Sequence, residues 1–364
     1  MNISLKGNEQ ITQLLNDWYV EIRARHIANA QRLKEEIDVK IHDIQEDQNL
    51  LLYYSLLDFR HHYVIDNLGI SKDSFDKVES FEIPPNNTLT YYYHFFKAIH
   101  ASGTGSYKIA KEHFDQAERL LELIPDKVEK AEFYYKLGAF HFDICDSLVS
   151  FQYTTKAKEM FLTLDDYERN VGFCENLLGL ACINLKEWAL AEEHFAAAMD
   201  KFQKIGEEKF IIMVRHNLGW MYSKQNLSTL AIRYLSEVIE KSPNHYKAIY
   251  AKALEHYKLN EPDIAEELIE RGLDISKKLN QEEFIHRYLI LREMNNNSPA
   301  QTLETMVLAG INYFEREGLY EDVQECYEIL GVNFHEENRH QESSKYFYLG
   351  LQAQKKRSEE ESLK

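Results

Sequence analysis

Apolar residues recur along most of this chain three and four positions apart, the spacing that gathers them on one face of an α-helix. In ITQLLNDWYVEIRARH, Leu14, Trp18 and Ile22 share such a face. In IANAQRLKEEIDVKIHDI, Ile27, Leu33, Ile37 and Ile41 do the same. A third helix starts near Asp47, a residue type suited to an N-cap, and runs through the strongly apolar LLLYYSLLDFRHH to Leu68. Three amphipathic helices joined by two short polar turns predict a small bundle over residues 1–70. The pattern breaks in GISKDSFDKVESFEIPPNN. Residues 71–87 are therefore read as a linker and hinge.

From residue 88 the pattern repeats. HNLGWMYS…LAIRYLSEVIEKSP fits a tetratricopeptide repeat, with Leu218, Gly219, Tyr222, Ala231 and Pro243 at the characteristic positions. Small residues let the two helices of a repeat touch, and bulky ones fill the gap to the next repeat. The same frame holds for Ala98 with Ala110, Phe114 and Ala117; for Gly138 with Leu137 and Ala157; and for Gly179 with Ala191, Phe195 and Ala198. It holds again for Ala253 with Ala265 and Ile269, and for Gly331 with Leu330, Phe334 and Phe347; the stretch 280–318 is degenerate but long enough for another pair. The expectation is an all-α protein: a three-helix bundle, the linker, and a superhelical array of about seven repeats over 88–356, ending in a tail at 357–364. Such an array offers a binding face more often than a catalytic one.

Composition narrows the function. The 364 residues carry a formal net charge of −18, which argues against nucleic acid or an anionic membrane as the partner. The first 70 residues hold no basic recognition helix, so direct DNA binding is not expected. Cys145, Cys174, Cys182 and Cys326 are scattered among apolar neighbours with no CxxC, and are read as reduced thiols of a cytoplasmic protein. MNISLKGNEQITQLL has no long apolar run and is not read as a signal peptide. No stretch of 18 apolar residues occurs, so no membrane span is expected. His335 and His340 are five apart, off the i,i+4 spacing of helical zinc ligands, and adjacent His61 and His62 point apart, so no metal or other cofactor is expected on this chain.

The bundle, the linker and the repeats, taken with NDWYVEIR, EDQNLLLYYSLLDFRH and KAEFYYKLG, closely resemble the Rap family of quorum-sensing regulators of Bacillus over essentially the whole chain. The resemblance implies that the bundle binds a response regulator. In one branch of the family the aspartyl phosphate of a sporulation-relay receiver domain is hydrolysed; in another a DNA-binding regulator is sequestered without catalysis. In both, a short Phr peptide binds the repeats and shifts the bundle onto them. The phosphatase branch places a glutamine after two acids, here Gln48 after Glu46 and Asp47. Its amide would orient water, with no proton to abstract. Glu46 and Asp47 would contact the target, as would Phe59 in DFRH. Any divalent metal would belong to the partner. A non-catalytic binding module stands as the alternative, with a generic repeat scaffold third.

Repeat positions that face the concave side nominate peptide contacts. They are Tyr135 and Asp143 in repeat two, Asn176 and Asn184 in repeat three, Asn217 and Trp220 in repeat four, and Tyr250 and Leu254 in repeat five. The Asn217 amide, in HNLG, offers one donor and one acceptor to a peptide backbone. Asn184 lies in ACINLK, where the family usually keeps an acidic NYDD-like turn, so the peptide read here need not carry the same charge.

Overall fold

The computed structural model describes residues 8–41, 47–85 and 87–362. Among the described residues the regular structure is entirely helical, in agreement with the all-α expectation. The chain divides into two compact units: the described residues of Met1–Asp143 with Ser147–Glu207, and those of Ile144–Asp146 with Glu208–Lys364.

The first unit opens with α1 (Glu9–Arg23), α2 (Ile27–Ile41) and α3 (Gln48–Ile65). Each buries the stripe read from the sequence, with Leu15, Trp18 and Ile22 on α1 and Leu33, Ile37 and Ile41 on α2. α3 buries nearly all of its length, from Leu50 to His61. The reason is its position: it packs on α1, α2 and two later helices at once, so no side of it is left for a polar stripe. α3 ends at Ile65, three residues before the expected Leu68, because the Asp66 side chain turns the chain by accepting from Gly69 N at 3.1 Å.

The segment read as a linker is packed. A 3-10 turn (Lys72–Phe75) runs into a short α4 (Asp76–Glu79). Phe75 is fully buried, edge-on to Phe59 at 4.9 Å and stacked on His100 at 5.3 Å. His100 Nε2 also donates to Ser71 O at 3.0 Å.

Three helix pairs complete this unit: α5 (Asn87–Gly103) with α6 (Tyr107–Leu121), α7 (Lys127–Asp143) with α8 (Ser147–Leu162), and α9 (Glu168–Asn184) with α10 (Trp188–Lys204). Four pairs form the second unit: α11 (Glu208–Lys224) with α12 (Ser228–Lys241), α13 (Tyr246–Lys258) with α14 (Pro262–Lys278), α15 (Glu282–Asn295) with α16 (Ala300–Glu317), and α17 (Tyr320–Glu336) with α18 (His340–Ser362). The small residues read from the sequence are where helices meet. A Cβ on Gly179 would lie 2.7 Å from the Phe195 ring, too close for α9 and α10 to keep their separation.

One backbone device recurs. Within pair after pair a left-handed residue stands two positions before the second helix: Gly105, Cys145, Lys186, Asn226, Asn260 and Asn338. Arg25 does the same between α1 and α2, with φ at 57°. Asparagine and glycine adopt this conformation cheaply; arginine does so at roughly 1–2 kcal/mol.

Candidate functional site

The mouth of α3 is built by one side chain. Asp47 Oδ1 accepts from Leu50 N at 3.1 Å, closing the first turn as an N-cap, and Asp47 Oδ2 accepts from Asn8 Nδ2 at 3.1 Å. The cap fixes where the helix begins. Gln48 is therefore the first residue of α3, with its side chain exposed to solvent. The cap fixes the backbone that carries this side chain, and the exposed amide offers a donor and an acceptor to a partner. Glu46, the other acid of the motif, lies outside the described residues. Below this mouth, Lys34 pairs with Asp38 at 3.1 Å and with Asp58 at 2.8 Å.

Phe59 lies near the far end of α3 and is buried between Phe75 and His100. Gln48 and Phe59 thus sit on one helix, the first open to solvent and the second closed off. His61, on the same helix, accepts from Trp18 Nε1 at 3.4 Å and donates to Gln31 Oε1 at 3.0 Å. Burial, then His62 and Lys34, hold its imidazole down at about 4, so it is neutral at ordinary pH.

Beside the bundle lies a network that the sequence reading did not nominate. α7 presents two buried carboxylates, Glu129 and Glu132, and the bundle meets each with arginine. Arg23 Nη1 donates to Glu129 at 3.0 Å and to Asp126 at 2.9 Å, while the Tyr19 and Tyr91 hydroxyls donate to Glu129 at 2.9 Å. Arg25 and Arg60 converge on Glu132 at 3.3 and 2.9 Å. Asn170 of α9 donates to Arg23 O at 3.0 Å. Burial alone would raise the Glu132 carboxyl; Arg25 and Arg60 outweigh it and hold the group below its ordinary value. At Glu129 burial prevails over Arg23 and the tyrosines, and its value is raised. The signal for this network was present in KVEKAEFYYKLGAF. Glu129, Glu132 and Lys136 fall, at three- and four-residue spacing, beside the apolar stripe of Phe133, Leu137 and Phe140.

The nominated peptide contacts are carried by the first helices of their pairs. In the first unit, Tyr135 lies half-buried on α7 beneath the Arg25 guanidinium, 5.3 Å from ring centre. Asp143 closes the same helix and accepts from Ser102 Oγ at 2.8 Å. Asn176 is buried in α9, and Asn184 is its half-buried last residue. In the second unit, Asn217 is buried on α11, while Trp220, one turn on, is half-buried under Lys224 Nζ at 4.8 Å. Tyr250 stands edge-on to Tyr288 at 5.3 Å, and Leu254 packs on the same α13–α15 core. Asn217 and Asn176 are thus more enclosed than a surface reading gives, and the aromatic contacts are more open.

Among the described residues no group of three or more His, Cys, Asp or Glu could hold a metal ion, and no helix is long and apolar enough to cross a membrane.

Comparison with known proteins bears on this arrangement. The family model described as response regulator aspartate phosphatase H, N terminal, matches residues 5–66, the segment that contains Gln48 and Phe59. Response regulator aspartate phosphatase A of Bacillus subtilis (strain 168) is 27% identical over 349 residues, spanning 92% of this chain and 91% of its own. Regulatory protein RapF of the same organism is 26% identical over 361 residues, spanning 94% and 93%. Among solved structures, a Rap protein complexed with Competence and Sporulation Factor shares the fold with a TM-score of 0.80 at 22% identity, covering 96% of this chain and 99% of that one. Aspartyl phosphate phosphatase F from Bacillus subtilis gives a TM-score of 0.59 at 24% identity, covering 97% and 96%. A matched N-terminal segment, relatives that align nearly end to end and a shared helical fold agree: along nearly its whole length this chain is similar to proteins of the Rap family.

Proposed function

We propose that this protein is a peptide-regulated aspartyl-phosphate phosphatase acting on the receiver domain of a response regulator of a sporulation phosphorelay. The observation that carries the reading is the exposed Gln48 amide at the capped start of α3, inside the segment that matches a phosphatase N-terminal model. In the reaction a water oxygen attacks the phosphorus as the P–O bond to the aspartate breaks, giving inorganic phosphate and a free carboxylate. Gln48 Oε1 accepts from the attacking water and Nε2 donates toward the phosphoryl oxygens, holding the in-line geometry. The amide titrates nowhere near neutral pH, so its role is orientation. The aspartate and any divalent metal are the partner's. Glu46 and Asp47 contact the receiver domain beside Gln48, and Phe59 joins that surface when the bundle moves off its packed position.

A short peptide is the inhibitor, a reading supported by the solved Rap protein complexed with Competence and Sporulation Factor. Its contacts are Asn217, Asn176, Asn184, Tyr135, Asp143, Trp220, Tyr250 and Leu254, with the two buried asparagine amides reading its backbone.

A second reading, sequestration without hydrolysis, is favoured by the near-equal similarity to a relative named only as a regulatory protein. Phosphate loss from a phosphorylated receiver domain, followed with the native chain and with Gln48→Ala, separates the two. Hydrolysis that depends on Gln48 supports the first; binding of the receiver domain without hydrolysis supports the second.

A further inference from the structure

Lys136 lies one turn beyond Glu132 on α7 and is 8% exposed. Its amine sits over the Tyr63 ring at 4.4 Å and the Tyr135 ring at 5.3 Å. The carboxylate nearest to it along the helix, Glu132, is already held by two guanidiniums. The groups that face Lys136 are Arg60 and Tyr63 from α3, Arg25 from the turn after α1, Glu132, Tyr135 and Asp143 from α7 itself, and Cys174 from α9 beside Arg25. Asp143 is shared with Ser102 of α5. With Lys136 charged, three buried cations would face Glu132 and the half-buried Asp143.

The interface carries a second imbalance. Arg60 is fully buried, and its Nε and Nη1 have no hydrogen-bond partner; neither has Nε of Arg23. The seat of the bundle on α7 is therefore held by charge and at the same time opposed by unmet donors.

We propose that Lys136 couples bundle docking to a proton: the bundle seats on α7 with Lys136 as the neutral amine, and Lys136 is the ammonium when the bundle is away. The inference rests on the reading above, in which the bundle moves between a position on the repeats and one free to meet its target. Both bundle-side cations that confront Lys136, Arg25 and Arg60, leave with the bundle, and so does Tyr63. The charged form is then relieved of its like-charge neighbours and reaches water. Burial, then Arg60, push the docked amine well below the ordinary lysine value. The docked state consequently binds one proton fewer than the undocked state. Docking strengthens as pH rises, by about tenfold per pH unit between the docked and undocked lysine values, and is flat below the docked value. Loss of the lysine proton makes the seat firmer; regaining it loosens the seat. The coupling gives the same bundle a second input, beside any peptide, from the same helix that carries Glu129 and Glu132.

Hydrogen exchange of the full chain without peptide, read at α1–α3 and α7 amides between pH 6.5 and 8.5 and corrected for intrinsic rates, tests this. In the native chain the opening equilibrium of these amides should fall as pH rises, reaching about tenfold per pH unit above the docked lysine value. Lys136→Met should abolish the pH dependence and raise protection. Lys136→Arg, which keeps the charge at every pH, should lower protection throughout that range while far-UV circular dichroism stays native. A pH-independent opening in the native chain, with Lys136→Arg as protected as native, would overturn the coupling. Exchange of α1–α3 only through global unfolding would overturn the detachment it presupposes. Neither readout involves phosphate hydrolysis, so failure of the phosphatase reading is seen separately.

Discussion

Arg60 Nη2 of α3 donates to Glu132 Oε1 of α7 at 2.9 Å, and the two side chains are 0% and 1% exposed. Arg25, held at a left-handed φ, completes the clasp from the other side. Arg25 stands where the corresponding turns place glycine, cysteine, lysine or asparagine, and its guanidinium is the second cation on the Glu132 carboxylate. These two contacts, with Arg23 on Glu129, tie the bundle to α7.

Removing one partner of such a set leaves the others buried and unpaired. Glu132→Ala strands two guanidiniums and is expected to destabilise the first unit by about 3–5 kcal/mol. The triple replacement of Glu132, Arg25 and Arg60 by apolar residues of similar size should recover most of that loss. Urea unfolding followed by exchange at α7 amides measures both. A single replacement that costs less than about 1 kcal/mol would mean the network is solvated in solution.

At the mouth of α3 the prediction is smaller and more local. Asp47→Ala removes the acceptor for Leu50 N and should cost about 1 kcal/mol. Asp47→Asn keeps a cap and should cost a few tenths at most. Because the cap fixes the position of Gln48, Asp47→Ala should also slow any reaction that depends on that amide, and Asp47→Asn, which keeps the cap and loses only the charge that meets the receiver domain, should slow it less. Thermal unfolding and a turnover assay on the same samples check the pair.

In the second unit, Asp322 Oδ1 accepts from Arg287 Nη2 at 2.7 Å. Burial raises its carboxyl from 3.8 to about 6 despite that arginine, and Glu283, Glu325 and Glu321 add to the rise. The folded state therefore binds more proton than the unfolded state between these two values. Stability contributed by this group falls as pH rises from about 4 through about 6, by on the order of 3 kcal/mol, and is level above. Asp322→Asn should flatten that slope. Urea midpoints at pH 4.5 and pH 7 for both proteins measure it, and an equal slope in the two would contradict it.

Much of this was legible in the sequence, for reasons that particular residues make plain. The repeats could be read because close helix approach demands a small residue at a fixed place, as Gly179 against Phe195 and Gly219 against Leu235 demonstrate. The stretch 280–318 looked degenerate because its close approach is displaced. Tyr288 of α15 fills the space beside Gly272 on α14 and donates to Tyr246 O at 2.6 Å, so the small residue sits one helix earlier. Asp47 read as a cap because capping is local. The arginine network was not legible in the same way. Arg60 and Glu132 are 72 positions apart and Arg25 and Glu132 are 107 apart. Charged side chains within a helix are solvated by default, and only their placement beside an apolar stripe hinted otherwise. Nor did local pattern reveal that Phe59 would be covered by Phe75, since the covering residue comes from a segment with no periodicity.

The most direct measurement is the rate of phosphate loss from a phosphorylated sporulation-relay receiver domain in the presence of the native chain and of Gln48→Ala, with binding of the receiver domain measured alongside. The account predicts that the native chain accelerates the loss and that Gln48→Ala lowers the acceleration by roughly 10²-fold while binding is kept. Full acceleration by Gln48→Ala, or tight binding by the native chain with no acceleration, would contradict it.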